Sequence, residues 1–274
     1  MVRTRPRDEI GRRSGFKIRR RKACQFESGR GHQPPEKMPK LPPATKALML
    51  VCVAVYCVQL LLPMVPAELL LALWPLGSGR FWPWQLLTYA VLHGGLAHLI
   101  FNMLGLWVFG PDVERLRGQK RYLQLLAASA LTAAIAQLLM SMLMGSRSPT
   151  IGASGAIFGL LLAYGLSFPN RQFDLIGFLP MLLMMIPNQF LNMLGLVLFV
   201  VLLTNRGGLP FLQPIPIRAS AMVGIYGVLE LILGVTGTQA GVAHFAHLGG
   251  MLGAWLMLRW WRGQSPFSGP RRRS

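Results

Sequence analysis

Six stretches of this chain are too long and too apolar to be left in water. Crossing a hydrocarbon core of about 30 Å takes about 20 mostly apolar residues, and runs near that length fall at 47–65, 95–110, 122–144, 153–168, 217–236 and 242–261. The second and fourth are short and draw on flanking residues to span. Composition agrees, since 53% of residues are hydrophobic and only 14% charged, against about 25% charged in an average soluble protein. The expected fold is therefore an all-α polytopic membrane protein in a lipid bilayer. Between the first two spans, 66–94 is rich in Trp and Pro (Trp74, Pro75, Trp82, Pro83, Trp84) and reads as an interfacial loop, partly embedded.

Charge sets the expected orientation. Residues 1–37 hold twelve Lys or Arg, four acids and no apolar run, a composition that cannot bury enough surface to fold alone. Without periodic aromatics, this basic segment reads as the flank of a first span, so no nucleic-acid partner is expected. Met38 is a second candidate start, because Met38-Pro-Lys-Leu-Pro-Pro leads straight into that span. With a cytoplasmic amino terminus, 26 of the 28 Lys and Arg fall on the cytoplasmic side, leaving Arg80 and Arg147 outside. The expected division is a basic cytoplasmic tail (1–44), a membrane domain (45–262) and a second basic tail (263–274), in a bacterial inner membrane. Cys24, Cys52 and Cys57 show no CxxC or zinc-ligand spacing, which excludes a disulfide framework and a cysteine-metal site.

Strongly polar residues inside a span need a reason, because burying one without a partner costs several kcal/mol. His93, His98 and Asn102 form one group, with His98 and Asn102 four apart and so on one helical face. Ser154 sits in Ile151-Gly-Ala-Ser-Gly-Ala-Ile-Phe-Gly159, and His244 and His247 open the last span. Each taken alone has a packing explanation. In the topology above, however, Ser154, His247, His98 and Asn102 share one depth, within two turns of an extracytoplasmic boundary. A serine, a histidine and two further donors at one level supply a nucleophile, a general base and an oxyanion stabiliser.

Gly152-Ala-Ser154-Gly155, His98 with Asn102, and Ala246-His247-Leu-Gly-Gly250 resemble the signature motifs of the rhomboid intramembrane serine proteases, over roughly residues 45 to 262. The resemblance implies a six-span helical bundle in which Ser154 and His247 form a catalytic dyad without an acidic third member. The spans are read as holding no acid that could supply one. It further implies an oxyanion held by the Ser154 backbone N–H and the side chains of His98 and Asn102. Phe158 stands where the family often has a tyrosine beside the histidine, which keeps stacking but loses the hydroxyl. Glu114 with Arg115 or Arg117 resembles a structural Glu-Arg pair. Gly250, Gly253 and Ala254 would let the last helix pack on the Ser154 helix. His93 and His244 are expected to be accessory or structural.

One insertion, 172–213, departs from the family pattern, and its residues 175–203 carry no charge. Ser154 and His247 both open their helices, so those helices must run parallel, and 217–236 already provides the one crossing between them. The insertion must then cross zero or two times, and 29 residues fall short of the roughly 40 that two spans need. A re-entrant or interfacial hairpin turning at Pro187-Asn188 is expected.

The function expected from these residues is cleavage of transmembrane protein substrates near the extracytoplasmic face, with no metal or organic cofactor. A small residue before the cut is what the family suggests. Two rivals remain: a catalytically inactive rhomboid-like binder of membrane proteins, and a metal-binding or transport protein in which His93, His98, His244 and His247 ligate an ion. The metal reading is disfavoured because no carboxylate is expected near these histidines to orient their rings.

Overall fold

A computed structural model describes residues 40–184, 189–204, 215–236 and 243–263. Helix α1 (Pro43–Leu61) opens on a proline at its first position, where the missing N–H is no loss. The Trp-rich stretch then folds into short pieces, α2 (Ala67–Leu71) and α3 (Gln85–Thr88), each followed by a single 3-10 turn. Helices α4 (Leu96–Arg117) and α5 (Gln119–Met144) meet at Gly118, whose φ of +78° reverses the chain in a single residue. After α6 (Ser154–Ser167) come strand β1 (Gln172–Asp174), α7 (Leu175–Met184), α8 (Gln189–Thr204), β2 (Pro216–Arg218), α9 (Ala219–Thr236) and α10 (His244–Trp261). By length and composition, α1, α4, α5 and α9 suffice to cross a membrane, whereas α6 is a shorter apolar helix.

Missing side chains hold α5, α6 and α10 together. A β-carbon on Gly155 would lie 2.6 Å from that of Ala133, and one on Gly249 2.6 Å from that of Ala136. One on Gly159 would collide with Ser129, and one on Gly250 with the Gly155 carbonyl. Without those carbons the three backbones approach closely, as small residues allow where no hydrophobic effect drives helices together. Gly250 and the fully buried Ala254 face α6 and the core, but Gly253 is pressed against Ala128 and Thr132 of α5. The last helix thus packs on the Ser154 helix through Gly250, as the resemblance implies, and on α5 through Gly253.

The Trp-rich stretch is built around Gln85, which is fully buried. Its Oε1 accepts from the N–H groups of Trp74 and Trp82, and its Nε2 donates to carbonyls of Leu69, Leu70 and Arg80. One amide thereby satisfies backbone groups that short helices leave open. Leu73 and Thr150 exchange backbone hydrogen bonds, and Tyr89 accepts from the Gly152 N–H while its hydroxyl donates to the Ala130 carbonyl. These bonds tie the stretch to the residues just ahead of Ser154.

The insertion begins and ends at one place. Strands β1 and β2 pair antiparallel, with Gln172 opposite Arg218 and Asp174 opposite Pro216, so the chain leaves α6 and enters α9 side by side. Between them α7 and α8 pack on each other. At about 1.5 Å per residue they extend roughly 15 Å and 24 Å, each less than a membrane core. The expected turn at Pro187-Asn188 lies outside the described residues, as do Arg206 and residues 1–39 and 264–274 of the two basic tails. α9 runs antiparallel to its neighbours: Gly165 near the end of α6 meets Val223 near its start, and Gly234 near its end meets His244 and Phe245. α6 and α10 therefore run parallel.

Candidate active site

Ser154 is the first residue of α6 and His247 lies in the first turn of α10. Because those helices are parallel and in contact, the two side chains meet, with Ser154 Oγ 2.8 Å from His247 Nε2. The Phe158 ring, one turn along α6, stacks on the imidazole at a centroid distance of 4.2 Å and an interplanar angle of 5°. Stacking fixes the ring plane, and the hydroxyl fixes which nitrogen points at the serine.

Gly152 shapes the other side. Its φ of +119° is a conformation that L side chains rarely adopt. A β-carbon there would also lie 2.7 Å from His98 Nε2 and 3.8 Å from Asn102 Nδ2. His98 and Asn102, one turn apart on α4, thus converge on the backbone just before Ser154. His98 Nδ1 accepts a 3.4 Å hydrogen bond from the Gly94 N–H, which places the ring proton on Nε2. Asn102 is buried, and its Nδ2 has no hydrogen-bond partner among the described residues. The Ser154 N–H belongs to the first turn of α6, whose amides have no acceptor within their own helix. Three donors therefore border the serine.

His93 stands behind this group. Gln59 of α1 grips its backbone twice, accepting from its N–H at 3.1 Å and donating to its carbonyl at 3.3 Å. Its ring meets His98 edge to face at 5.3 Å. Burial, with the neighbouring His98 adding to it, pushes His93 down to about 4, so it is neutral near pH 7.

The expectation of spans free of acid is wrong. Glu230, the one charged residue of α9, is 1% exposed and reaches both histidines of α10. Its Oε2 lies 2.6 Å from His244 Nδ1 and its Oε1 2.8 Å from His247 Nδ1. The first is a hydrogen bond; the second is within ion-pair distance but misaligned, so that His247 Nδ1 makes no aligned hydrogen bond among the described residues. A signal existed, because a lone acid in an apolar run needs a partner, and His244 lies 14 residues on.

The same carboxylate corrects the metal-site expectation. Among the described residues, the one group of three whose ligand atoms lie close enough for a cation is Glu230, His244 and His247, within 4.8 Å of one another. His93 and His98 do not join it. The arginine partner expected for Glu114 is also different. Glu114 accepts from the N–H groups of Ala44 and Thr45 and from the Thr45 hydroxyl, at 2.7–2.9 Å, so its charge is spent on the open amides starting α1. Arg115 pairs instead with Asp112, which also binds Arg171, and Arg117 donates to Ser167.

Residues 80–209 match the family model of the rhomboid domain. The chain is 38% identical to rhomboid protease GluP of Bacillus subtilis (strain 168) over 126 residues, 45% of this chain and 20% of that protein. It is 38% identical to the putative rhomboid protease YdcA of the same strain over 81 residues, 30% of this chain and 39% of that protein. With rhomboid protease GlpG of Klebsiella pneumoniae (strain 342) it shares 35% identity over 96 residues, 35% of this chain and 34% of that protein. The chain thus spans well under half the length of these relatives. Ser154, His98 and Asn102 fall inside the matched range, while Glu230, His244 and His247 lie beyond it.

Proposed function

The chain belongs to the rhomboid family, and from that premise we propose that it is an intramembrane serine endopeptidase. The reading rests above all on the 2.8 Å contact between Ser154 Oγ and His247 Nε2 at the mouths of two parallel helices. In this reading α1, α4, α5, α6, α9 and α10 span the membrane with both chain termini cytoplasmic, and Ser154 lies shallow beneath the outer surface of an inner membrane. Substrates are transmembrane segments of other proteins, cut near that surface. A protease attacks an extended peptide, so substrates with helix-breaking Gly or Pro at the site unwind at lower cost.

The chemistry follows from the atoms in place. Ser154 Oγ attacks the scissile carbonyl carbon while His247 Nε2 takes the hydroxyl proton. Negative charge collects on the carbonyl oxygen, where the Ser154 N–H, His98 Nε2–H and Asn102 Nδ2–H are at hand to hold it. The buried Asn102 amide, without a partner among the described residues, supports this role, since a donor left open in a buried site costs free energy unless an acceptor arrives. Collapse of the tetrahedral species passes the proton from His247 to the leaving amine. A water molecule, deprotonated by the same nitrogen, then releases the acyl group from Ser154.

Fluorophosphonate labelling of the detergent-purified protein tests the reading. Labelling is expected in the wild type and absent in Ser154→Ala and His247→Ala; a wild type that neither labels nor cleaves a transmembrane substrate sinks it. A topology reporter fused after Arg206 is expected to read cytoplasmic. An extracytoplasmic signal there would make α6 and α10 antiparallel in the membrane and separate the two residues.

A further inference from the structure

The buried carboxylate of Glu230 faces the side of His247 that Ser154 does not use. Nε2 of that ring meets Ser154 Oγ at 2.8 Å, and Nδ1 lies 2.8 Å from Glu230 Oε1. The other carboxylate oxygen meets His244 Nδ1 at 2.6 Å. Glu230, His244 and His247 are buried, and Glu230 is the one charge on an otherwise apolar helix. No lysine or arginine forms an ion pair with it among the described residues. A carboxylate so placed has two imidazoles for company, and one of them is the base of the proposed reaction.

We propose that Glu230 is the acidic third member of this site, making it a Glu230–His247–Ser154 triad, with His244 as the residue that positions the acid. The proposal rests on the protease reading above. For Ser154 to give up its proton, Nε2 of His247 must present a lone pair, so the ring proton must sit on Nδ1. A carboxylate beside Nδ1 holds that tautomer, because it accepts from N–H and repels a lone pair. When His247 takes the serine proton it becomes a cation inside a water-poor bundle. A fixed negative charge at ion-pair distance stabilises that cation more strongly there than in water. The contact is short but misaligned in the resting site, and such catalytic hydrogen bonds often align only once substrate is bound.

His244 completes the arrangement. Its Nδ1–H to Glu230 Oε2 leaves Oε1 turned toward His247 and prevents the carboxylate from swinging onto a single partner. Both histidines lie three residues apart at the start of α10, on one helical face, which is why one acid on α9 reaches both.

The test compares wild type, Glu230→Gln, Glu230→Asp and His244→Gln in cleavage of one transmembrane substrate, with fluorophosphonate labelling and thermal unfolding on the same samples. Glu230→Gln keeps the shape and loses the charge. It is expected to lower kcat by about 100-fold or more with KM changed less than about threefold, the pattern of an interaction made in the transition state. Glu230→Asp, which keeps the charge one methylene further back, recovers part of that loss, and His244→Gln costs about tenfold. Imidazole ¹⁵N spectra are expected to show the His247 proton on Nδ1 in the wild type and shared between nitrogens in Glu230→Gln.

Wild-type kcat and an unchanged His247 tautomer in Glu230→Gln would overturn the triad and leave Glu230 a packing ion pair. Should Glu230→Gln fail to fold, Glu230→Asp decides: a lowered kcat with retained KM supports the triad, and wild-type kinetics refute it. Activity removed by a chelator and restored by zinc alone would replace the triad by a Glu230–His244–His247 metal centre. An inactive, unlabelled wild type refutes the protease reading itself, whereas an active wild type matched by Glu230→Gln refutes only the triad.

Discussion

Phe158 lies flat against His247, its ring centroid 4.2 Å away and its plane within 5° of parallel. It needs no hydroxyl to do this. Ring stacking of this kind contributes about 0.5–1.5 kcal/mol beyond the area it buries, and here it is spent on the orientation of the proposed base. Phe158→Leu is therefore expected to slow fluorophosphonate labelling about two- to tenfold, and Phe158→Tyr to leave it near wild type. Equal labelling in all three proteins would mean that the helices alone orient the imidazole.

Gly152→Ala tests the other side of the serine. The substitution meets both a positive φ of +119° and the His98 ring at 2.7 Å, with a backbone cost of roughly 1–3 kcal/mol. Labelling should fall tenfold or more while the helical circular dichroism stays intact. Normal labelling would show that His98 yields without consequence.

The approach of α6 to α10 gives a paired prediction. An added carbon at Gly250 runs into the Gly155 carbonyl, while one at Gly224 of α9 meets nothing within 4 Å. Gly250→Ala is expected to destabilise the protein by roughly 1–3 kcal/mol and to abolish labelling by prising Ser154 from His247. Gly224→Ala should be neutral or slightly stabilising. The readout is thermal unfolding beside labelling, and equal behaviour of the two variants would contradict the packing described.

Glu114 anchors α1 far from the serine. Replacing it by Ala leaves the amides of Ala44 and Thr45 without their acceptor, while the Thr45 hydroxyl keeps the Tyr122 hydroxyl at 3.2 Å, at a cost of roughly 2–3 kcal/mol. Limited proteolysis should then cut near residue 43 sooner, with labelling by the remaining folded protein unchanged. Lost labelling at full stability would assign Glu114 to the chemistry instead.

His93 predicts a pH dependence. Its folded value is pushed down to about 4 from an ordinary 6.5, so the unfolded chain binds a proton in that window and the folded protein does not. Stability is fully present above about 6.5 and falls as pH drops toward 4, by up to roughly 3 kcal/mol from this group. His93→Phe should flatten that slope in thermal unfolding from pH 7 to 4. An unchanged slope would assign it to other groups.

Read as a sequence, this chain is visibly apolar and helical, and the polar side chains that stand out against that background are plain, although the expected span 95–110 falls a full two turns short of the helix that runs Leu96–Arg117. Apolar character and outlying polar residues are local properties, set by hydrophobic run length and by the cost of a polar group in an apolar run. The Gly152-Ala-Ser-Gly motif and the His98–Asn102 spacing were legible for the same reason, since residues one helical turn apart share a face. Tertiary structure alone decided the pairings. Glu114 bonds the open amides at the start of α1, and Gly253 packs on α5 because α10 is wedged between two helices. Glu230 stood in plain view within an apolar run, yet its meaning depended on α9 running antiparallel to α10, which brings residue 230 beside 244 and 247. Which groups meet across such a bundle depends on helix packing, and sequence spacing does not encode it.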